Sequence, residues 1–264
     1  MTYLNRFKFP YTTEEHLYPY SILSRKQFMQ IDCEPITILY GSNGSGKSTI
    51  LNIIAHKLGL EMLDQGNDCG LFQGLVDQCD YKLSAQLKKT SSVPDGSKFI
   101  RSEDVMHAIV KQRKHNETIK KVMKDKATEM YEHFFHNTPS ADPKELVWAK
   151  EKYWASIMNQ FDESESNGEV AMRYFKDSIE FDCLTLLDEP ENSLSPMFQE
   201  ELAEDILHLV KYFNCQFIIA THSPFLLAIP GAKIYNMDNT PVDVCHFNEL
   251  ESVKAYKRLF ARMD

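Results

Sequence analysis

Apolar residues along the chain fall into two rhythms. Short β-branched runs end in glycine, serine or acids, and longer stretches repeat every three or four residues. Ile36–Tyr40, Phe181–Leu187 and Gln216–Ala220 read as buried strands. Residues 3–9 alternate as an edge strand does, and Lys98–Asp104 reads as a short strand ending in acids. Helical spacing follows Thr49, where Ile50, Leu51, Ile53, Ile54 and Ala55 lead away from a glycine-rich turn. One apolar stripe runs through Ile119, Val122, Met123, Ala127, Met130, Tyr131, Phe134 and Phe135, and a second through Leu146, Tyr153, Trp154, Ile157, Met158 and Phe161. Asp142-Pro143-Lys144-Glu145 supplies the second helix with an N-cap, a first-turn proline and a glutamate. Ser195-Pro196 opens another helix bearing Leu202, Ile206, Leu207, Leu209 and Val210. In the tail from Val242, Leu250, Val253, Tyr256 and Phe260 share a face suited to core packing. The stretch Glu61–Gly96 is short on periodicity and rich in Asp, Gly, Gln and Ser, and reads as irregular or weakly stranded. Strands alternating with helices give an α/β fold in one domain, 1–264, with a helical lobe inserted at 104–162.

Composition narrows the setting. With 264 residues, 43% of them hydrophobic, the chain is long enough to bury its own core. A net charge of −9 argues against wholesale coating of nucleic acid. The basic run Lys111, Arg113, Lys114, Lys120, Lys121, Lys124 and Lys126 stands out against that average and reads first as a solvated helix face. Six scattered cysteines form no C-x-x-C pair and read as buried thiols of a reducing compartment. No apolar run approaches the roughly 18 residues of a membrane span, and the first residues lack a signal core. The expectation is a soluble, cytoplasmic protein without membrane insertion. His133 and His136 lie one helical turn apart without a third ligand, so no metal is assigned there.

The chemistry concentrates at Gly41-Ser42-Asn43-Gly44-Ser45-Gly46-Lys47-Ser48-Thr49, which satisfies G-x-x-x-x-G-K-[ST] between a strand and a helix. Glycines free the backbone to aim successive N–H groups at phosphate oxygens, and the helix start adds positive potential. Lys47 is placed to reach the terminal phosphates, and Ser48 to ligate Mg²⁺. Further on, an apolar strand ends in Asp188-Glu189-Pro190. Two acids at the end of a buried strand are costly unless cations or catalysis employ them. Asp188 suits the Mg²⁺ shell with Ser48, and Glu189 suits polarising an attacking water. Glu189 reaches that place only if the strand ends there, as Pro190 suggests. A further strand delivers Thr221-His222-Ser223-Pro224 to the same edge of a parallel sheet, beside the expected γ-phosphate. Tyr11, Tyr18 and Tyr20 are candidates for stacking on a base, with none assigned.

Taken in order, the phosphate loop, Ser164-Glu165-Ser166-Asn167-Gly168-Glu169, the strand Leu184–Glu189, Pro190–Ser195 and Ala220–Pro224 resemble the ATP-binding-cassette ATPases over about residues 1–60 and 98–240. Within that group the chain is similar to small stand-alone bacterial AAA/ABC-type ATPases, relatives of DNA-repair and phage-defence ATPases. The resemblance implies a P-loop ABC-ATPase sheet with flanking helices, ATP and Mg²⁺ as cofactors, and a head-to-tail homodimer around two ATP molecules. It implies that Ser166, Asn167, Gly168 and Glu169 face the partner's nucleotide in trans, with Ser166 and Gly168 at the γ-phosphate. Glu189 would be the general base, His222 the γ-phosphate sensor, and Asn192 and Ser193 part of the loop joining the two sites. Glu103 takes the place of the glutamine-loop residue near Mg²⁺. Glu165, Asn167 and Glu169 differ from the transporter signature Leu-Ser-Gly-Gly-Gln. The expected function is an ATP-driven switch, read by an effector protein or by DNA, in repair or antiviral defence. The alternatives are the nucleotide-binding subunit of an ABC transporter, and a sensor that binds ATP without useful hydrolysis.

Overall fold

The computed structural model describes residues 1–63, 70–87, 92–137, 152 and 166–263. Its centre is a six-stranded sheet of β3 (Ile36–Tyr40), β5 (Lys98–Arg101), β6 (Leu184–Asp188), β7 (Gln216–Ala220), β8 (Lys233–Asn236) and β9 (Asp243–Cys245). The strand order is β5-β6-β7-β3-β8-β9, parallel throughout except for the last pair. Every residue of β3, β6 and β7 is buried, as strands covered on both faces require. A smaller antiparallel sheet, β2-β1-β4, comprises β1 (Leu4–Lys8), β2 (Gln30–Asp32) and β4 (Asp80–Leu83).

Two apolar layers flank the central sheet. On one side Leu39, Leu184, Leu186 and Ile218 pack with α2 (Lys47–Leu58), α3 (Gly70–Gln78) and the small sheet. The short α1 (Tyr20–Lys26) also lies there through Leu23. On the other, Ile38, Leu187, Phe217 and Ile219 meet α4 (Ser102–Asn137), α5 (Asn167–Ser178), α6 (Pro196–Tyr212), α7 (Pro224–Leu227) and α8 (Glu251–Phe260). The even-numbered residues of β6 face the α2 layer. Asp188 therefore ends its strand on the side where the phosphate-loop helix begins.

Several sequence expectations are corrected. Within 61–96 the weakly stranded reading fits β4, but α3 was not expected: it buries Phe72, Leu75 and Val76, an i, i+3, i+4 set hidden among polar residues. β1 is the central strand of its sheet, not an edge, because β2 and β4 pair with it on both sides. The side chain of Gln216 joins the two sheets, accepting from Tyr3 and Leu4 N–H and donating to Leu4 and Glu34 carbonyls. The strand read over 181–187 runs from Leu184 to Asp188. Strand β5 stops at Arg101, and Glu103 and Asp104 occupy the first turn of α4, where the helix dipole favours acids.

Helix α4 is rooted in the domain by buried Val105 and Ile109. Farther out its basic residues line a largely exposed helix, where Val122 and Met123 are exposed too. The second apolar stripe, from Leu146 to Phe161, and Ser164-Glu165 lie outside the described residues. So do the side chains of Met130, Tyr131, His133, Phe134, Phe135 and His136. In the tail, Leu250 and Val253 are buried, but Tyr256 and Phe260 are exposed and only border the core.

Candidate functional site

Parallel pairing brings four strand ends to one edge. Arg101 aligns with Asp188, Asp188 with Ala220, and Leu39 with Ala220. The loop after β3, the acids after β6 and Thr221-His222 after β7 therefore converge. Gly44 and Gly46 hold φ of +81° and +100°, and a Cβ on Gly46 would meet Ile22 Cγ2 at 2.5 Å. Glycine is needed there for both reasons.

Lys47 is almost wholly buried and folds back over its own loop. Its Nζ donates to Gly41 O at 2.8 Å and Ser42 O at 3.3 Å, and lies 3.3 Å from Glu189 Oε1. Ser48 Oγ donates to Asp188 Oδ1 at 3.0 Å. Ser45 Oγ is buried in the loop without a protein partner. Asp238, which the sequence pattern did not single out, accepts from Ser42 N–H at 2.9 Å and Ser42 Oγ at 2.7 Å, engaging two donors of the loop. Of the three candidate tyrosines, Tyr18 touches the loop helix, its hydroxyl 3.4 Å from Thr49 Oγ1. Tyr20 instead accepts from Gln78, and Tyr11 is exposed.

Burial pushes Asp188 up to about 7; the Ser48 hydroxyl and Lys47 oppose this, while the charges of Glu189 and Glu103 add to it. Glu189 behaves oppositely. Burial would raise it, but hydrogen bonding from Asn192 and the charge and contact of Lys47, with a contribution from His222, hold it below its ordinary range. Its backbone is left-handed, φ 46° and ψ 53°, which ends the strand. The side chain can then reach Lys47 on the side of Asp188, the opposite of what strand alternation dictates. Serine and carboxylate oxygens with surplus negative charge fit a hard cation such as Mg²⁺, which takes few protein ligands beside phosphates. Ser48 and Asp188 would hold it, and exposed Glu103 stands near enough to add its charge.

The loop after β6 is tied into this edge. Asn192 Nδ2 donates to Glu189 Oε2 at 3.1 Å, and Ser193 Oγ contacts Met106 Sδ of α4 at 3.4 Å. The same loop carries a third anchoring residue. Buried Glu191 accepts at Oε1 from Thr221 Oγ1 at 2.7 Å, His222 N–H at 2.8 Å and Ser223 N–H at 3.2 Å, with His222 Nδ1 at 3.3 Å. The only local hint was one further acid in a run already rich in them.

Ser166, Asn167, Gly168 and Glu169 form a capped helix start apart from the loop. Ser166 N–H donates to Glu169 Oε2 at 2.6 Å, and Glu169 N–H to Ser166 Oγ at 3.3 Å. Hydrogen bonding to the carboxyl from the Ser166 backbone N–H and then its hydroxyl holds Glu169 below its ordinary range. Arg113 of α4 grips Asn167 Oδ1 with Nη2 at 2.7 Å and Nε at 3.2 Å. Gly168 also has a packing reason: a Cβ there would meet the Phe198 ring at 2.6 Å.

Residues 167–227 match a family model described as an AAA ATPase domain. No curated protein matches the chain. Among solved structures, the chain is similar to a Pyrococcus furiosus Smc head domain with an extended coiled coil bound to the C-terminal domain of ScpA. That likeness has 16% identity, covers 100% of both chains and has a TM-score of 0.49. An SMC head domain from Thermotoga maritima is similar at 13% identity, with 92% of this chain and 98% of that one covered and a TM-score of 0.42. Both likenesses are loose. The match over residues 167–227 and the site geometry together support an ATP hydrolase.

Proposed function

We propose that the chain is a nucleotide-driven switch in which ATP draws two copies together head to tail and hydrolysis releases them. Lys47 and the loop N–H groups bind the phosphates. Glu189, ionised and held by Asn192, takes a proton from the attacking water. His222 contacts the γ-phosphate at Nε2 while Glu191 holds its Nδ1. Mg²⁺ held by Ser48 and Asp188 would neutralise charge on the phosphates. Tyr18, beside Thr49, is the residue placed to stack on the base.

The observation that carries the switch reading is the exposed, capped start of α5. A helix start presenting N–H groups is an anion site, and Ser166 and Asn167 stand exposed there. In the proposed dimer, Ser166, Asn167, Gly168 and Glu169 face the partner's nucleotide, and Arg113 fixes Asn167. An effector protein or DNA then reads the closed state, in repair or antiviral defence. Among the described residues no helix is long and apolar enough to cross a membrane, so the transporter reading would need a separate permease. The test is light scattering on Glu189→Gln with ATP and Mg²⁺. A dimer that dissociates when ATP is withdrawn is expected, and Ser166→Arg should prevent it. A monomer at saturating ATP would defeat the proposal.

A further inference from the structure

The beginnings of β6 and β7, at the opposite end from the phosphates, carry a local duplication. Phe181-Asp182-Cys183 precedes β6 and Phe213-Asn214-Cys215 precedes β7. The two turns match in conformation, with Asp182 at φ 55° and Asn214 at φ 52°. They are also tied together. The Phe181 and Phe213 rings stack at 4.3 Å with an 18° interplanar angle, and Asn214 Nδ2 donates to Asp182 Oδ1 at 3.0 Å. Asp182 N–H donates to Phe213 O at 3.0 Å, and Gln216 N–H to Cys183 O at 3.0 Å.

This pairing puts the two cysteines side by side. Leu184 aligns with Gln216 in parallel register, so the preceding residues, Cys183 and Cys215, are neighbours on one face. Adjacent strands lie about 4.8 Å apart, within the span of roughly 4.4–6.8 Å between α-carbons that a disulfide bridges. Both sulfurs also converge on one carbonyl, Glu180 O, at 2.9 Å from Cys183 and 3.4 Å from Cys215. The thiols are buried, but exposed Phe181, Asp182 and Asn214 stand immediately beside them in the chain. Contact with Cys215, more than burial opposes it, brings the Cys183 thiol down to about 7 and drives Cys215 upward. One thiolate shared by two sulfurs is a nucleophile with its resolving thiol in place.

We infer that Cys183 and Cys215 form a reversible dithiol–disulfide site whose oxidant is hydrogen peroxide. The Cys183 thiolate attacks one peroxide oxygen; an S–O bond forms, the O–O bond breaks, and the departing oxygen leaves as water after protonation. Cys215 sulfur then attacks the sulfenic sulfur. The S–S bond forms, the S–O bond breaks, and hydroxide leaves with the Cys215 proton as a second water. Two thiols lose two electrons and the peroxide gains them. The bond would join the two strands whose far ends, about 16 Å away at five residues of strand rise, carry Asp188-Glu189 and Thr221-His222.

The test is peptide mapping of the wild-type chain after treatment with hydrogen peroxide and blocking of remaining thiols with N-ethylmaleimide under denaturing conditions. A linked peptide pair joining Cys183 to Cys215, lighter by two hydrogens and separated again by dithiothreitol, is expected. Cys215→Ser should instead leave a sulfenic acid at Cys183 that dimedone captures. Recovery of both cysteines as maleimide adducts, or of either as an unlinked sulfinic acid, would overturn the inference. Because the wild-type map decides, poor folding of a variant does not obscure it. A failure here leaves the ATPase reading untouched.

Discussion

Glu191 holds His222. One buried carboxylate oxygen accepts the histidine's backbone N–H at 2.8 Å and lies 3.3 Å from its Nδ1, while also fixing Thr221 and Ser223. His222, at the end of β7, is thereby positioned from the loop that follows β6. The second carboxylate oxygen, Oε2, is buried without a hydrogen-bond partner among the described residues.

Removing Glu191 should therefore act through His222. Glu191→Ala leaves the His222 N–H and the Thr221 hydroxyl unmatched, while Ser223 N–H keeps Thr221 Oγ1, and is expected to cost about 1–3 kcal/mol of stability. Glu191→Gln keeps an acceptor and should fold normally. In steady-state ATP hydrolysis, Glu191→Ala and His222→Ala should each lower kcat, and the double variant should be little slower than His222→Ala alone. Additive losses would show that the two residues act separately.

Glu189→Gln retains size and the Asn192 contact but cannot accept a proton. Turnover is expected to fall by about 10²–10⁴-fold, the usual contribution of a positioned base, with ATP still bound. Phosphate release alongside equilibrium nucleotide binding checks this, and wild-type rates would remove Glu189 from the role.

Lys47→Ala removes the cation that balances Glu189 and faces the phosphates. Two charge-assisted hydrogen bonds correspond to a loss of ATP affinity of at least about 100-fold. Titration with a fluorescent ATP analogue measures it, and unchanged affinity would contradict the phosphate-loop reading.

Asp188 gives the pH dependence. Its folded value of about 7 lies above its ordinary 3.8, so its stabilising contribution is complete below about 3.8 and is lost as pH rises through 7. Without nucleotide, Asp188→Asn should melt higher than wild type at pH 8, by a few degrees, and the gap should close toward pH 5. Mg²⁺ with ATP at pH 8 should raise wild type more than the variant. Parallel melting curves across this range would refute the assignment.

How much was legible in advance follows from how local each feature is. The phosphate loop could be read directly, because consecutive glycines, a lysine and a hydroxyl carry their conformation with them. Asp188-Glu189 and Thr221-His222 could be read as strand ends because apolar runs stop there. Helix α3 escaped because its three buried residues sit among glycine, glutamine and aspartate. The capped start of α5 was visible, whereas its clasp by Arg113 was not, since those partners lie 54 residues apart.

By itself, then, the sequence determined the phosphate cradle, the acids, the histidine and the α/β alternation, all features written in adjacent residues or short periods. Tertiary structure alone decided that Glu191 anchors His222 and that Asp238 engages Ser42 from 196 residues away. It also placed Cys183 against Cys215, and turned Glu189 toward Lys47 through a left-handed backbone. The physical reason is common to these cases. A hydrogen bond or contact between distant residues depends on which strands become neighbours and in what register, and hydrophobic spacing along the chain carries no record of that order.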